Sequence, residues 1–203
     1  MTGWTPPLIP RSADQQERGV RLTPPALFRE LERRYLRGAC NLDAAASAEN
    51  ALAECWFDLE HSAIAHRWRP AGARSRLLGD ELEWAEQDGG RRGRVWCNPP
   101  FAEIEAFVEA GIRAVEQGDA EVVVWLVPAR TTMPWWHRLT RAGAVLVPIL
   151  GRVEYALPVD QVDDSQLELG VDAAPGRKRP TGGAFEHSVV WVLERQLVAG
   201  DYR

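Results

Sequence analysis

The stretch RVWCNPPFAEIE, residues 94–105, decides the fold class because it joins a strand pattern directly to a helix pattern. Its first half is apolar and predicts a buried strand, whereas its second half begins an amphipathic helix. Between them stand Asn98, two prolines and Phe101. Proline fixes φ and lacks an N–H, so Pro99 and Pro100 predict a rigid turn where the strand ends. A polar amide and an aromatic ring therefore flank a stiff corner.

Strand and helix patterns alternate on both sides of this corner. We predict helices over 23–38, 47–57, 103–117 and 132–142, and strands over 40–43, 95–98, 121–128, 144–150, 152–157 and 187–193. The continuous apolar run EVVVWLVP is typical of a strand buried on both faces of a parallel sheet. The pattern indicates an α/β fold, with a mostly parallel open sheet and helices on both faces.

Length and composition favour one domain. We assign residues 20–203 to it, with a loosely ordered leader at 1–19, an insertion at 69–94 and a mobile loop at 158–184. No apolar run approaches the roughly 18 residues of a membrane span. The three cysteines form no CxxC pair, which favours a reducing cytoplasm, and no cluster has metal-ligand spacing.

The charge is unevenly distributed. The formal net charge is −5, which argues against a surface that binds nucleic acid everywhere. Arginines nevertheless concentrate in 66–76, 91–94 and 176–180, while acids concentrate elsewhere. These segments are either a local basic face or ordinary solvated loops.

Two polar residues stand at predicted strand ends, Asp43 and Asn98. In open α/β sheets, ligands bind outside the carboxyl ends of the strands. The Asn98 side-chain oxygen and the Pro99 carbonyl can converge on one exocyclic amino group, with Phe101 stacked on the ring that carries it, worth about 1–3 kcal/mol. The alternative is a plain strand-ending turn with Phe101 in the core.

The ordered set of motifs resembles the phage-type, Dam-like DNA N6-adenine methyltransferase family. The segments that carry the resemblance are TPPALF (23–28), NLDAAASAENA (41–51), VWCNPPF (95–101), WLVPARTT (125–132), WWHRL (135–139), GRVEYA (151–156) and HSVVWVL (187–193). They cover about residues 20 to 193. The resemblance implies a Rossmann-like methyltransferase fold with an antiparallel closing strand.

The resemblance also implies site residues. The catalytic set comprises Asn98, Pro99, Pro100 and Phe101. The S-adenosylmethionine-binding set comprises Thr23, Pro24, Asp43, Ala44, Ala45, Ala46, Ser47, Asn50 and Glu60. The nucleic-acid-binding set comprises Arg130, Arg152, Arg74, Arg76, Arg91 and Arg92, the last four as a hypothesis about the insertion. Simple N-capping is the alternative for Thr23, and a surface salt bridge is the alternative for Arg130.

The implied function is methylation of a flipped adenine at N6 in double-stranded DNA, in the cytoplasm of a bacterial host of a phage or prophage. No membrane or metal partner is expected. The same motif also serves methylation of RNA bases, cytosine N4 or protein glutamine, because each reaction acts on an NH₂ group. A non-catalytic nucleic-acid-binding module on a degenerate methyltransferase fold is the alternative from another class.

Overall fold

The computed structural model of the protein describes residues 22–58, 62–75, 91–155 and 184–195. The helices within these ranges are α1 (Pro25–Tyr35), α2 (Ile104–Glu116) and α3 (Pro134–Arg141). The strands are β1 (Leu42–Asp43), β2 (Cys55–Trp56), β3 (Arg74–Ser75), β4 (Gly93–Cys97), β5 (Ala120–Pro128), β6 (Val145–Pro148), β7 (Val153–Tyr155), β8 (Ala184–Glu186) and β9 (Ser188–Glu194).

Seven of these strands form one sheet in the order β3-β2-β1-β4-β5-β9-β6. β1, β2, β4 and β5 are parallel. β6 runs in the same direction, because β5 and β6 both pair antiparallel with β9. β3 also runs against its neighbour β2. The expected mostly parallel sheet is confirmed. The antiparallel strand β9 lies between β5 and β6, and β7 and β8 form a separate hairpin.

Helices cover both faces of the sheet. On one face, Phe28 of α1 packs in a cluster with Trp96 of β4. On the other face, Phe107 of α2 and Trp135 of α3 pack in a second cluster with Trp125 of β5. β5 is buried from Val122 to Pro128, as its apolar run predicts, since successive side chains point to opposite faces and both are covered.

Gly111 sets the distance between α2 and the sheet. A Cβ on this glycine would overlap the Trp125 ring and lie 2.7 Å from the Trp68 ring. Trp68 is itself fully buried, and its indole N–H donates to the Ala63 carbonyl at 2.8 Å. The helix therefore approaches two tryptophans as closely as it does because it has no side chain at this position.

The expected helix over 47–57 is wrong. Residues 48–54 form turns and bends, and Cys55–Trp56 is a strand that pairs with β1. The Asp43 carboxylate accepts a hydrogen bond from the main-chain N–H of Leu52 at 3.1 Å. Such side-chain bonds offer the backbone an alternative to the helical hydrogen-bond ladder.

One further expectation needs correction. Thr23 does not cap α1, since the N-cap position is Pro24 and no side-chain cap hydrogen bond is present.

The insertion expected at 69–94 stays a prediction. Within it, Arg74–Ser75 form β3, and Gly93 and Arg94 begin β4.

Other expectations fall on residues outside the described ranges. The leader at 1–19 lies outside them. So do residues 76–90 of the expected insertion and all of the expected 158–184 loop except Ala184, which begins β8.

Candidate active site

Asn98 follows directly on β4, at the carboxyl end of that strand. The neighbouring strand β1 ends at Asp43, which pairs with Trp96 in parallel register. The strand order reverses between these two strands, because β2 lies outside β1 and β5 lies outside β4. The two polar strand ends therefore meet at the topological switch point, where open α/β sheets bind their ligands.

The Asn98 side chain contacts the segment that leads into α1. Its Nδ2 donates a hydrogen bond to Thr23 Oγ1 at 3.1 Å, and Thr23 is buried. Residues two apart on a strand face the same side, so Asn98 shares a face with Trp96. Trp96 packs edge-on against Phe28, with ring centroids 5.3 Å apart. Packing of α1 on β4 thus brings Thr23 to Asn98.

The two prolines turn the chain from β4 into α2. Pro99 is buried, and the Pro100 carbonyl accepts a hydrogen bond from the N–H of Glu103 at 2.8 Å. Because proline has no N–H, neither residue leaves a donor to be satisfied in this corner. α2 begins one residue after Glu103, at Ile104.

Phe101 is held between two neighbours at the edge of the site. Its ring packs edge-on against Tyr155, with centroids 6.1 Å apart, and the Arg130 guanidinium lies 5.9 Å from its centroid. Tyr155 is fully buried, and its hydroxyl shares a 2.8 Å hydrogen bond with Ser188 Oγ. The half-buried Phe101 ring is therefore fixed on one side and flanked by a cation on another.

Asp43 organises the loop that follows β1. Its carboxylate accepts hydrogen bonds from the N–H groups of Ala45 at 3.2 Å and Leu52 at 3.1 Å. The residue is 3% exposed, and burial raises the pKa of its carboxyl to about 6, although the two hydrogen bonds act in the opposite direction. A buried carboxylate thus lies beside the corner that carries Asn98.

The small residues of this loop lie along the neighbouring strand ends. The Ala44 N–H donates to the Trp96 carbonyl at 2.9 Å, and the Ala46 N–H donates to the Phe57 carbonyl at 3.1 Å. The Ser47 N–H donates to Asn50 Oδ1 at 2.7 Å. The loop is therefore pinned at several points, and its side chains are too short to cover its main chain.

A model of the DNA N-6-adenine-methyltransferase (Dam) family matches residues 12–174, most of the chain. The chain belongs to this family. The expectation drawn from the order of its motifs is confirmed. In this Dam-family chain, Asn98 and Asp43 stand at the ends of the neighbouring strands β4 and β1.

One curated relative is the DNA N-6-adenine-methyltransferase of Escherichia phage T1. The two sequences are 26% identical over 125 residues, which is 62% of this chain and 42% of the phage protein. The matched part of this Dam-family chain thus spans less than half the length of that relative.

The arginines expected to bind nucleic acid lie in separate places in this Dam-family member. Arg130 follows β5 at the same edge as Asn98, and both Arg130 and Arg152 are exposed. Arg152 donates from Nε to His187 Nε2 at 3.2 Å. Arg91 and Arg92 precede β4 and so lie at its opposite end.

Arg74 forms an ion pair with Asp58, with Nε and Oδ2 2.5 Å apart and both side chains about one fifth exposed. The remaining expected residues, Glu60 and Arg76, lie outside the described ranges.

The sequence predicted no role for Tyr155, which packs against Phe101, or for Ser188, to which it is hydrogen-bonded. Both stand in segments that carry the family resemblance, GRVEYA and HSVVWVL. Their hydrogen bond joins residues 33 positions apart, so no local pattern in the sequence reveals it. The available signal was a hydroxyl-bearing residue inside each of two predicted strands.

Two other features are absent from the described residues. No group of three or more His, Cys, Asp or Glu side chains there is arranged to hold a metal ion. None of the helices in the same ranges is long and apolar enough to cross a membrane.

Proposed function

We propose that the protein is an S-adenosylmethionine-dependent methyltransferase that acts on the exocyclic N6 of adenine in double-stranded DNA. The observation that carries the proposal is the meeting of Asn98 and Asp43 at the switch point of the sheet. One strand end then presents acceptors to an amino group, while the neighbouring strand end presents a loop to the methyl donor. Membership of the Dam family supports this assignment of roles.

Asn98 and Pro99 act on the target nitrogen. The lone pair of an adenine amino group is delocalised into the ring, so the nitrogen is a poor nucleophile. Acceptors on both of its hydrogens, Asn98 Oδ1 and the Pro99 carbonyl, favour a tetrahedral nitrogen and stabilise the positive charge that develops during attack. Once the nitrogen carries the methyl group, its proton would pass to solvent water, so no strong general base is required.

Phe101 provides the surface on which the flipped base stacks. A base inside a duplex cannot reach the corner at Asn98, so the target must leave the helix. Stacking on an aromatic ring is worth about 1–3 kcal/mol, which offsets part of the cost of unstacking. Tyr155 keeps the ring in place from the side.

The described residues beside Asp43 fit S-adenosylmethionine in charge and in size. The buried carboxylate is complementary to a ligand that carries ammonium and sulfonium groups. Ala45, Ala46 and Ser47 are partly exposed, and their short side chains leave room for a ligand beside the loop. When bound, this cofactor supplies a methyl group on positively charged sulfur. Residues 43–47 and Asn50 would hold its amino-acid half, with Pro24 at the neighbouring helix start.

Arg130 and Arg152 are the arginines we assign to DNA phosphates near the flipped nucleotide. Both side chains are exposed at the edge of the sheet that carries Asn98. They place positive charge where the DNA would bind, although the net charge of the protein is −5. Duplex DNA of a bacterial host, a phage or a prophage is the proposed substrate, and the cytoplasm is where the protein would meet it.

The test is methyl transfer from a donor labelled in its methyl group to duplex DNA, RNA and protein, followed by identification of the modified nucleoside or residue. We expect N6-methyladenine in DNA. Label in an RNA base, at cytosine N4 or on protein glutamine refutes adenine in DNA as the substrate. DNA binding without transfer to any of them indicates a non-catalytic module.

Two variants accompany this experiment. Asn98→Ala removes the side-chain acceptor, so we expect transfer to fall by at least a hundredfold while calorimetry shows unchanged cofactor binding. Gln117→Ala removes an exposed carboxamide at the far end of α2 and is expected to leave transfer unchanged.

A further inference from the structure

We propose that Thr23 is a positioning residue that fixes the orientation of the Asn98 carboxamide, with Nδ2 toward Thr23 and Oδ1 toward the target amino group. The inference rests on the proposed function, because the orientation matters only if Asn98 must accept a hydrogen bond from an amino group. It gives Thr23 a role that neither helix capping nor cofactor binding describes.

The contact joins residues 75 positions apart. Asn98 Nδ2 donates to Thr23 Oγ1 at 3.1 Å, and Thr23 is 8% exposed. Thr23 makes no cap bond to α1, whose first main-chain bond instead joins the Phe28 N–H to the Pro24 carbonyl at 3.0 Å. The hydroxyl is thus turned to Asn98 and away from the helix that it precedes.

The position of Thr23 is set by packing. α1 is anchored to β4 by the edge-on contact of Phe28 with Trp96, and Trp96 stands two residues before Asn98 on the same face. A rigid helix start therefore presents the hydroxyl to the end of a rigid strand. A residue that orients a reacting side chain does so most precisely when it stands on a rigid helix or strand.

An asparagine at this position needs an orienting partner, whereas an aspartate does not. A carboxamide has one acceptor end and one donor end, while an ionised carboxylate has two equivalent acceptor oxygens. If the Asn98 amide were reversed, its NH₂ would face the NH₂ of adenine, and the developing positive charge would meet a donor. In the observed arrangement Thr23 Oγ1 accepts from Nδ2, so Oδ1 is the end of the carboxamide that is left to accept from the substrate.

A double-mutant cycle tests this proposal. Thr23→Val replaces the hydroxyl by a methyl group of similar size. We expect it to lower kcat about tenfold, the effect of one lost hydrogen bond on the reacting side chain, with the KM for the cofactor unchanged. In the Asn98→Asp background the same change is expected to cost less than about twofold. Thr23→Ser, which keeps the hydroxyl, is expected to retain activity within about twofold.

Several results would overturn the proposal. An equal loss of kcat in both backgrounds means that Thr23 acts by packing. A raised KM with unchanged kcat means that it acts on the cofactor. If Thr23→Ser lowers kcat as much as Thr23→Val does, the hydroxyl is not the group that orients Asn98. As a matched control, Thr140→Val removes an exposed hydroxyl that donates to the Trp136 carbonyl on α3 and is expected to change neither constant.

A second measurement does not depend on activity. The Nδ2 protons of Asn98, assigned in ¹⁵N-labelled protein by their loss in Asn98→Asp, are expected to exchange slowly in the wild type and fast in Thr23→Val. If the Nδ2 protons of Asn98 exchange at the same rate in the wild type and in Thr23→Val, the proposed contact is overturned. This conclusion does not require Asn98→Asp to be active. A wild-type protein that shows slow exchange but transfers no methyl group refutes the proposed function and leaves the contact standing, so the two failures are distinguishable.

Discussion

The carboxylate of Asp43 accepts a hydrogen bond from the main-chain N–H of Leu52, nine residues further along the chain, at 3.1 Å. A second bond comes from the N–H of Ala45 at 3.2 Å. One buried side chain therefore holds both ends of the loop that follows β1. The geometry of the proposed cofactor loop depends on this single carboxylate and hence on its state of ionisation.

We predict a pH-dependent contribution of Asp43 to stability. Burial raises the pKa of its carboxyl from the ordinary value of 3.8 to about 6 in the folded protein. Between these values the folded state binds more protons than the unfolded state, so the free energy of unfolding decreases as pH rises. The decrease from this one group is about 2 kcal/mol between pH 4 and pH 7.

Asp43→Asn isolates this contribution, because the variant cannot ionise at position 43. Urea unfolding at pH 4, 5, 6 and 7 gives the free energy of unfolding of both proteins. We expect the wild type to lose stability relative to the variant as pH rises through this window. A difference between the two proteins that stays constant from pH 4 to pH 7 contradicts the raised pKa.

For DNA binding, we predict that the arginines at the edge carrying Asn98 matter more than those at the opposite edge. β4 has five residues, so its two ends are roughly 16 Å apart. Each phosphate contact adds about 0.9 to the slope of log K against log salt. Arg130→Gln with Arg152→Gln is therefore expected to reduce the slope by about 2.

Arg91→Gln with Arg92→Gln is the matched comparison, since it changes the net charge by the same amount. We expect this pair to change the slope by less than about 1. Fluorescence titrations of one duplex at several salt concentrations measure both. A larger effect of the Arg91 and Arg92 pair would place the DNA along the amino end of β4 and would support the hypothesis drawn from the sequence.

Gly111→Ala is predicted to destabilise the protein, although alanine favours helices over glycine by about 1 kcal/mol. The added methyl group would overlap the Trp125 ring, and overpacking of a core costs about 1–3 kcal/mol. Urea unfolding measures the loss. In a Trp125→Phe background the smaller ring removes the closer of the two contacts and only the contact with Trp68 remains, so the same substitution is expected to cost less. Equal costs in both backgrounds would exclude the clash as the cause.

Tyr155→Phe is predicted to lower the free energy of unfolding by about 1–2 kcal/mol, because it removes the partner of the buried Ser188 hydroxyl. The ring that supports Phe101 is kept, so methyl transfer is expected to stay within about twofold. Combining the change with Ser188→Ala is expected to cost little more than either alone, since the two hydroxyls share one bond. Additive losses would show that the bond contributes nothing.

The sequence alone was enough to predict β1, β4, β5, β6 and β9 of the sheet and both polar strand ends, but not β2 and β3. β5 was recognisable because it is apolar throughout, and Asn98 because two prolines stop a strand beside it. Each of these signals lies in a short stretch of sequence, so it can be recognised without knowledge of the fold. Asp43 was placed correctly at a strand end for the same reason.

Non-local contacts explain what could not be predicted. The segment after Asp43 has helix-favouring alanines, yet it forms turns because the carboxylate binds main-chain groups on both sides of it and β2 pairs with β1. Likewise, the partner of Thr23 lies 75 residues away. Periodicity carries no information on such pairs, which exist only once α1 has packed on β4.

β9 lies between β5 and β6 although it follows both in the chain. During translation, the nascent chain therefore exposes β6, with Val145 still 63% exposed in the finished fold, before its partner in the described sheet has been synthesised. Ser188 emerges about 90 residues after Asn98, a delay of roughly 5–18 seconds at ribosomal speed. The corner at Asn98 is thus made before Ser188, whose hydroxyl is bonded to the Tyr155 that packs against Phe101.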